Sequence, residues 1–109
     1  EIGLPLTIFN IRDCHEVAVL EMGISNFGEM HRLTKMARPD VCVITNIGLC
    51  HLENLGSRDG ILKAKTEMFD FINGEGKVFL SGDDAKLREF REYNRQIHSV
   101  DQKMPHCCQ

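Results

Sequence analysis

The sequence predicts an α/β fold built on a parallel sheet, and three observations carry that prediction. Residues 16–22, 41–47 and 77–80 are short apolar runs of strand length. Amphipathic stretches at 28–36, 57–72 and 84–97 separate and follow them. Strands alternating with helices at this spacing argue for right-handed βαβ units, whose strands lie parallel. Three strands make a thin sheet, which points to part of a larger one. The opening Glu1-Ile2-Gly3-Leu4-Pro5 has no starting Met and reads as the interior of a longer protein.

The elements follow in order. Residues 4–11 are apolar, with Pro5 placed as in the first turn of a short helix. Glu16-Val17-Ala18-Val19-Leu20-Glu21-Met22 reads as a buried strand closed by Gly23. From Gly28 to Met36 the spacing predicts a helix with Leu33 and Met36 facing inward, ended by Pro39. Residues 41–47 are almost all apolar, as expected of a strand covered on both faces. Ser57 is the expected N-cap of the strongest helix, with Asp59 in its first turn and Gly74 and Gly76 beyond its end. The last helix, 84–97, sets Leu87, Phe90 and Ile97 on one side. Residues 99–109 show no periodicity, so 1–98 is expected to be domain and 99–109 a disordered tail.

Composition narrows the function class. The formal charge is −3 and basic residues are scattered among acidic ones, which gives no electrostatic footprint for nucleic acid. No apolar run approaches the roughly 20 residues of a membrane span. Five cysteines are an odd number, and Cys14, Cys42 and Cys50 stand apart. That pattern suits reduced thiols in a cytoplasm better than a disulfide framework. His106-Cys107-Cys108 offers metal-binding atoms, but adjacent cysteines are not a metal-site spacing, and a frayed tail is the preferred reading.

Four places can carry chemistry. The loop Thr45-Asn46-Ile47-Gly48-Leu49-Cys50-His51-Leu52-Glu53 leaves the second expected strand at its carboxyl end, where open α/β sheets bind ligands. His51 there is either a metal or substrate contact or a hydrogen-bonded structural histidine, and Glu53 follows it closely. Glu21 ends the first expected strand, as a site carboxylate or simply a solvated one. A His and a carboxylate from adjacent strand ends suit a divalent cation. Manganese and zinc accept imidazole more readily than magnesium does, and the residues alone do not choose among them.

Lys65 is the third place. It falls in the middle of an apolar helix face formed by Ile61, Leu62, Met68, Phe69 and Ile72. A lysine so placed snorkels to solvent, pairs, or changes its chemistry. Burial favours the neutral amine, which can take up carbon dioxide as an anionic, metal-binding carbamate. The fourth place is Gly28-Glu29-Met30, where a glycine at a helix start permits close approach of an anion, or merely begins the helix. No GxxxxGK[ST] phosphate loop occurs in the 109 residues.

Taken together, these runs resemble the central, ATP-binding domain of the Mur ligases. The matching runs are Ile2-Gly3-Leu4-Pro5-Leu6-Thr7, Val19-Leu20-Glu21-Met22-Gly23, Gly28-Glu29-Met30, Arg38-Pro39-Asp40, Thr45-Asn46-Ile47-Gly48 with His51-Leu52-Glu53, Gly56-Ser57, Ala64-Lys65-Thr66-Glu67 and Gly82-Asp83-Asp84. Within the family the resemblance is nearest to the type that adds D-Ala-D-Ala to the UDP-MurNAc-tripeptide of peptidoglycan synthesis. Departures from the family pattern are Cys50 where Ala is common, Thr66 where Gly is common, and Ile24-Ser25.

The resemblance implies a P-loop-type, three-layer α/β/α domain of which this chain is the distal half, its phosphate loop lying upstream of Glu1. It implies ATP and Mg2+ as cofactors, and UDP-MurNAc-peptide and D-Ala-D-Ala as substrates of the full-length cytoplasmic enzyme. It implies that Glu21 holds one magnesium, that His51 and carbamoylated Lys65 hold a second, and that Asn46 lies near the phosphates. Those three ligand positions are the expected catalytic residues. The chain alone is then expected to be inactive, and the missing sheet half to leave apolar surface that favours self-association. The alternatives are an earlier-step Mur enzyme, a folylpolyglutamate synthetase, or a degenerate Mur-like domain that only binds.

Overall fold

The computed structural model describes residues 3–93. Its sheet has two parallel strands, β1 (Val41–Ile44) and β2 (Lys77–Leu80), with Val41 opposite Lys77 and Ile44 opposite Leu80. Parallel neighbours need a long crossover. Here it runs through α3 (Leu52–Leu55), α4 (Arg58–Thr66) and a 3-10 turn (Glu67–Phe69). Helices α1 (Gly3–Phe9) and α2 (Glu29–Ala37) precede β1, and α5 (Ala85–Tyr93) follows β2. The β1 exit loop, the start of α4 and the start of α5 are neighbours, joined by hydrogen bonds from Ile47 to Asp84 and from Arg58 to Ile47.

One core joins these elements. Leu4, Ile24, Met30, Leu33, Ile44, Ile47, Leu55, Ile61, Ala64 and Leu87 are buried together. On α2 the inward stripe is Met30, Leu33, Thr34 and Ala37, the i, i+3, i+4, i+7 pattern. Met36, expected inward, lies off that stripe and is exposed. Thr34 is buried at no cost in unmet polarity, because its hydroxyl donates to the Met30 carbonyl at 2.7 Å. Ser57 caps α4 as expected, its Oγ accepting the Gly60 N–H at 3.1 Å. The helix expected over 57–72 is regular only to Thr66 and then tightens into the 3-10 turn. The tail 99–109, with His106-Cys107-Cys108, and Ile97 lie outside the described residues.

Three expectations about strands are corrected. Residues 16–22 form no strand: they pair with neither β1 nor β2, and Val17 and Val19 are exposed at 79% and 92%. A strand exists only through a neighbour that takes its backbone groups, and the described residues supply none. The segment keeps a strand-like alternation at its end, with Leu20, Met22 and Ile24 packed inward and Val19, Glu21 and Gly23 outward. The second correction concerns β1, which is covered on one face only. Cys42 and Ile44 are buried, while Val41 and Val43 stand about half exposed. Strand β1 also ends at Ile44 rather than 47. The last ladder bond is Ser81 N–H to the Ile44 carbonyl, and from there the backbone bonds elsewhere.

Candidate functional site

The site is assembled from the turns that leave the apolar segments. A pocket of about 200 Å³ is lined by Met22, Gly23 and Ile24 on one side and by Asn46, Gly48, Cys50 and His51 on another. Leu55, Ile61 and Lys65 complete the lining. The volume lies below the several hundred Å³ of a drug-sized ligand site and suits a phosphoryl-sized group or a hydrated ion.

Three of the four expected site residues meet here: Asn46, His51 and Lys65. Lys65 stands in the last turn of α4, partly buried, and its Nζ donates to the Asn46 carbonyl at 2.7 Å. The lysine in the apolar stripe therefore snorkels and pairs at once, carrying its amine to the mouth of the β1 exit loop. His51 is the residue before α3 and has a left-handed backbone, φ 63°. A β-carbon in that region costs on the order of 1 kcal/mol. The imidazole is exposed and faces the pocket. Glu21 stands apart: exposed, and one residue outside the pocket-lining Met22. Glu53 is exposed in the first turn of α3 and does not line the pocket. Among the described residues no three His, Cys, Asp or Glu side chains gather as a ready metal site.

The loop is held by Asp84 and Arg58, to which the sequence assigns no site role. Asp84 accepts the Ile47 N–H at 2.8 Å through one carboxylate oxygen. Its other oxygen accepts the N–H groups of Lys86 and Leu87 at 2.9 and 3.1 Å, capping α5. Burial raises the Asp84 pKa, but these three N–H donors and the Arg58 guanidinium 3.7 Å away outweigh it, and the net shift is down. Arg58 itself donates to the Ile47 carbonyl from Nε and Nη2. The sequence signal for Asp84 is the Gly82-Asp83-Asp84 turn before a helix, a common N-cap pattern and one of the runs that resemble the family.

The Gly28-Glu29-Met30 start of α2 does take an anion, and that anion is internal. Gly28 has φ 83°, and its N–H donates to both Glu67 carboxylate oxygens, at 3.0 and 3.2 Å. The Glu29 carboxylate turns back to the N–H groups of Ser25 and Asn26, and these bonds pull its pKa down. An external phosphate is not needed to satisfy this helix end. Cys42 is a core thiol, not a site residue: burial pushes its pKa up to about 11.

Residues 1–104 match the family profile described as the Mur ligase middle domain. The UDP-N-acetylmuramoyl-tripeptide–D-alanyl-D-alanine ligase of Bacillus subtilis (strain 168) is 46% identical over 87 residues, covering 80% of this chain and 19% of that protein. The enzyme of the same name from Escherichia coli (strain K12) is 31% identical over 84 residues, 77% of this chain and 19% of its own length. A crystal structure of MurF from Acinetobacter baumannii superimposes with a TM-score of 0.82 at 34% identity, covering 90% of this chain and 22% of that one. The chain thus spans about a fifth of the length of these relatives. Matched over residues 1–104 by that profile, and 46% identical over 80% of its length to one such ligase, the chain belongs to the Mur ligase family.

Proposed function

We propose that the chain is part of a cytoplasmic, ATP-dependent ligase that joins D-Ala-D-Ala to a UDP-MurNAc-tripeptide. In that reaction a substrate carboxylate oxygen attacks the γ-phosphorus of ATP and ADP leaves. The amine of the dipeptide then attacks the acyl carbon and expels phosphate, forming the amide. The observation that carries this reading is the convergence of Asn46, His51 and Lys65 on one small pocket, in a chain 46% identical to a ligase of that name.

The residues fit Mg2+ on one condition. As an ammonium, Lys65 would repel a cation beside His51. As a carbamate, formed when the neutral amine adds to carbon dioxide and releases a proton, it would offer anionic oxygens there. Magnesium keeps several waters, so His51 and carbamoylated Lys65 are enough protein ligands for one ion. Glu21, outside the pocket lining but next to Met22, would serve a second ion, and Asn46 would lie by the phosphates. Bound magnesium screens the negative charge on the transferring phosphoryl group. Leu55 and Ile61 would present an apolar wall to that group.

Residues 1–98 would form the domain portion and 99–109 a tail. The test is phosphate release in the full-length protein with ATP, UDP-MurNAc-tripeptide and D-Ala-D-Ala. Release that requires all three supports the reading. Full-length protein that forms no amide bond, or a 109-residue chain that turns over ATP by itself, would sink it.

A further inference from the structure

The peptide unit between Asn46 and Ile47 is gripped at both ends. Its carbonyl, on Asn46, accepts from Lys65 Nζ at 2.7 Å. Its N–H, on Ile47, donates to Asp84 at 2.8 Å. The next carbonyl along, on Ile47, accepts from Arg58 at 3.0 and 3.2 Å. The Ile47 side chain is 1% exposed, which anchors the same residue in the core. A peptide unit is planar, so the direction of its N–H fixes the direction of its carbonyl. Holding the N–H on Asp84 therefore sets where the Asn46 carbonyl waits for Lys65. A carboxylate on the N–H and an amine donor on the carbonyl also polarise the amide in the same sense, so each bond strengthens the other.

We propose that Asp84 is a positioning residue for Lys65, acting through the Asn46–Ile47 peptide, with Arg58 steadying the next peptide unit. The use made of Lys65 rests on the ligase reading above, but the relay does not. Asp84 lies at the start of α5 and Lys65 at the end of α4, so the relay joins two helices through the loop that leaves β1. A change at Asp84 alters the position of an amine that it does not touch.

The test measures acetylation of Lys65 by acetic anhydride, read by peptide mass spectrometry as a ratio to Lys63 on the same helix. Asp84→Ala releases the peptide and frees the amine, and the ratio rises about fivefold, the worth of one ordinary hydrogen bond. Asp84→Asn retains an acceptor and brings the ratio back toward wild type. A folded Asp84→Ala variant with an unchanged ratio overturns the proposal, because a merely structural cap would alter stability and leave the ratio alone. If Asp84→Ala does not fold, Asp84→Ser, whose single hydroxyl can still cap α5 but cannot hold the Ile47 N–H as well, is read the same way: a raised ratio supports the relay and an unchanged one refutes it. A wild-type sample in 13C-bicarbonate separates the two readings. Absence of a Lys65 carbamate resonance counts against the ligase reading, while the acetylation ratio still decides the role of Asp84.

Discussion

The Glu67 carboxylate accepts the Gly28 N–H at 3.0 Å, so the start of α2 is closed by a side chain from just beyond the end of α4. The contact spans 39 residues of sequence and also reaches the His31 N–H at 3.4 Å. It supplies a negative charge at the positive end of a helix. Glu67→Ala leaves the α2 N-terminus without its anion, and is expected to destabilise the fold by about 1–3 kcal/mol. Glu67→Gln keeps an acceptor and should lose less. Urea unfolding of the two variants checks this; equal losses would show that the carboxylate does not matter.

Histidine 51 separates stability from function. Its left-handed backbone is one that glycine adopts freely. His51→Gly is therefore expected to hold or raise thermal stability, by up to about 1 kcal/mol, while weakening magnesium dependence in the full-length protein. A large drop in stability with an unchanged magnesium titration would make His51 a structural residue.

Asp84 brings a pH dependence of known sign. Its folded pKa lies below the ordinary 3.8, so folding favours the carboxylate. That contribution is fully present above the unfolded value and fades as pH falls from about 3.8 through the lower folded value. Urea midpoints across this range should fall more steeply for wild type than for Asp84→Asn, which starts less stable at neutral pH. Parallel curves would show that the depressed pKa contributes nothing.

Gly60 marks the tightest approach in the crossover. A β-carbon there would sit 1.9 Å from the Leu55 carbonyl oxygen, so α3 and α4 must separate to admit one. Gly60→Ala is expected to cost at least about 1–3 kcal/mol, despite the better helix propensity of alanine. A variant as stable as wild type in thermal unfolding would mean that the α3–α4 junction is loose.

The open face of β1 predicts association. Val41 and Val43 on the sheet, with Phe9 on α1, leave apolar surface uncovered among the described residues. Val43→Lys should shift the 109-residue chain toward monomer in sedimentation without lowering its unfolding midpoint. An unchanged distribution would assign any association to another surface.

Local signals were legible in the sequence and distant ones were not. Ser57 and the apolar stripe of α4 follow from spacing over a few residues, and so does the odd placement of Lys65. The strand at 16–22 failed because its composition was read without a partner for its backbone, and partners are a property of the whole sheet. Glu67 on Gly28 and Asp84 on Ile47 are single polar contacts across 39 and 37 residues, and such contacts leave no periodic trace. Position 28 was legible as an anion-binding helix start, but not that Glu67 is the anion. The convergence of Asn46, His51 and Lys65 was expected only through the family resemblance, because nothing in the spacing of three residues brings them to one pocket.

In the proposed ligase Lys65 serves this pocket as a carbamate rather than as an ammonium, and the decisive measurement is made on Lys65→Ala in the full-length protein. Amide-bond formation is measured with and without added short carboxylates such as acetate or formate. The expected result is a severe loss of activity that these anions partly restore, because they fill the place of the carbamate. Full activity in Lys65→Ala without any added carboxylate would contradict it.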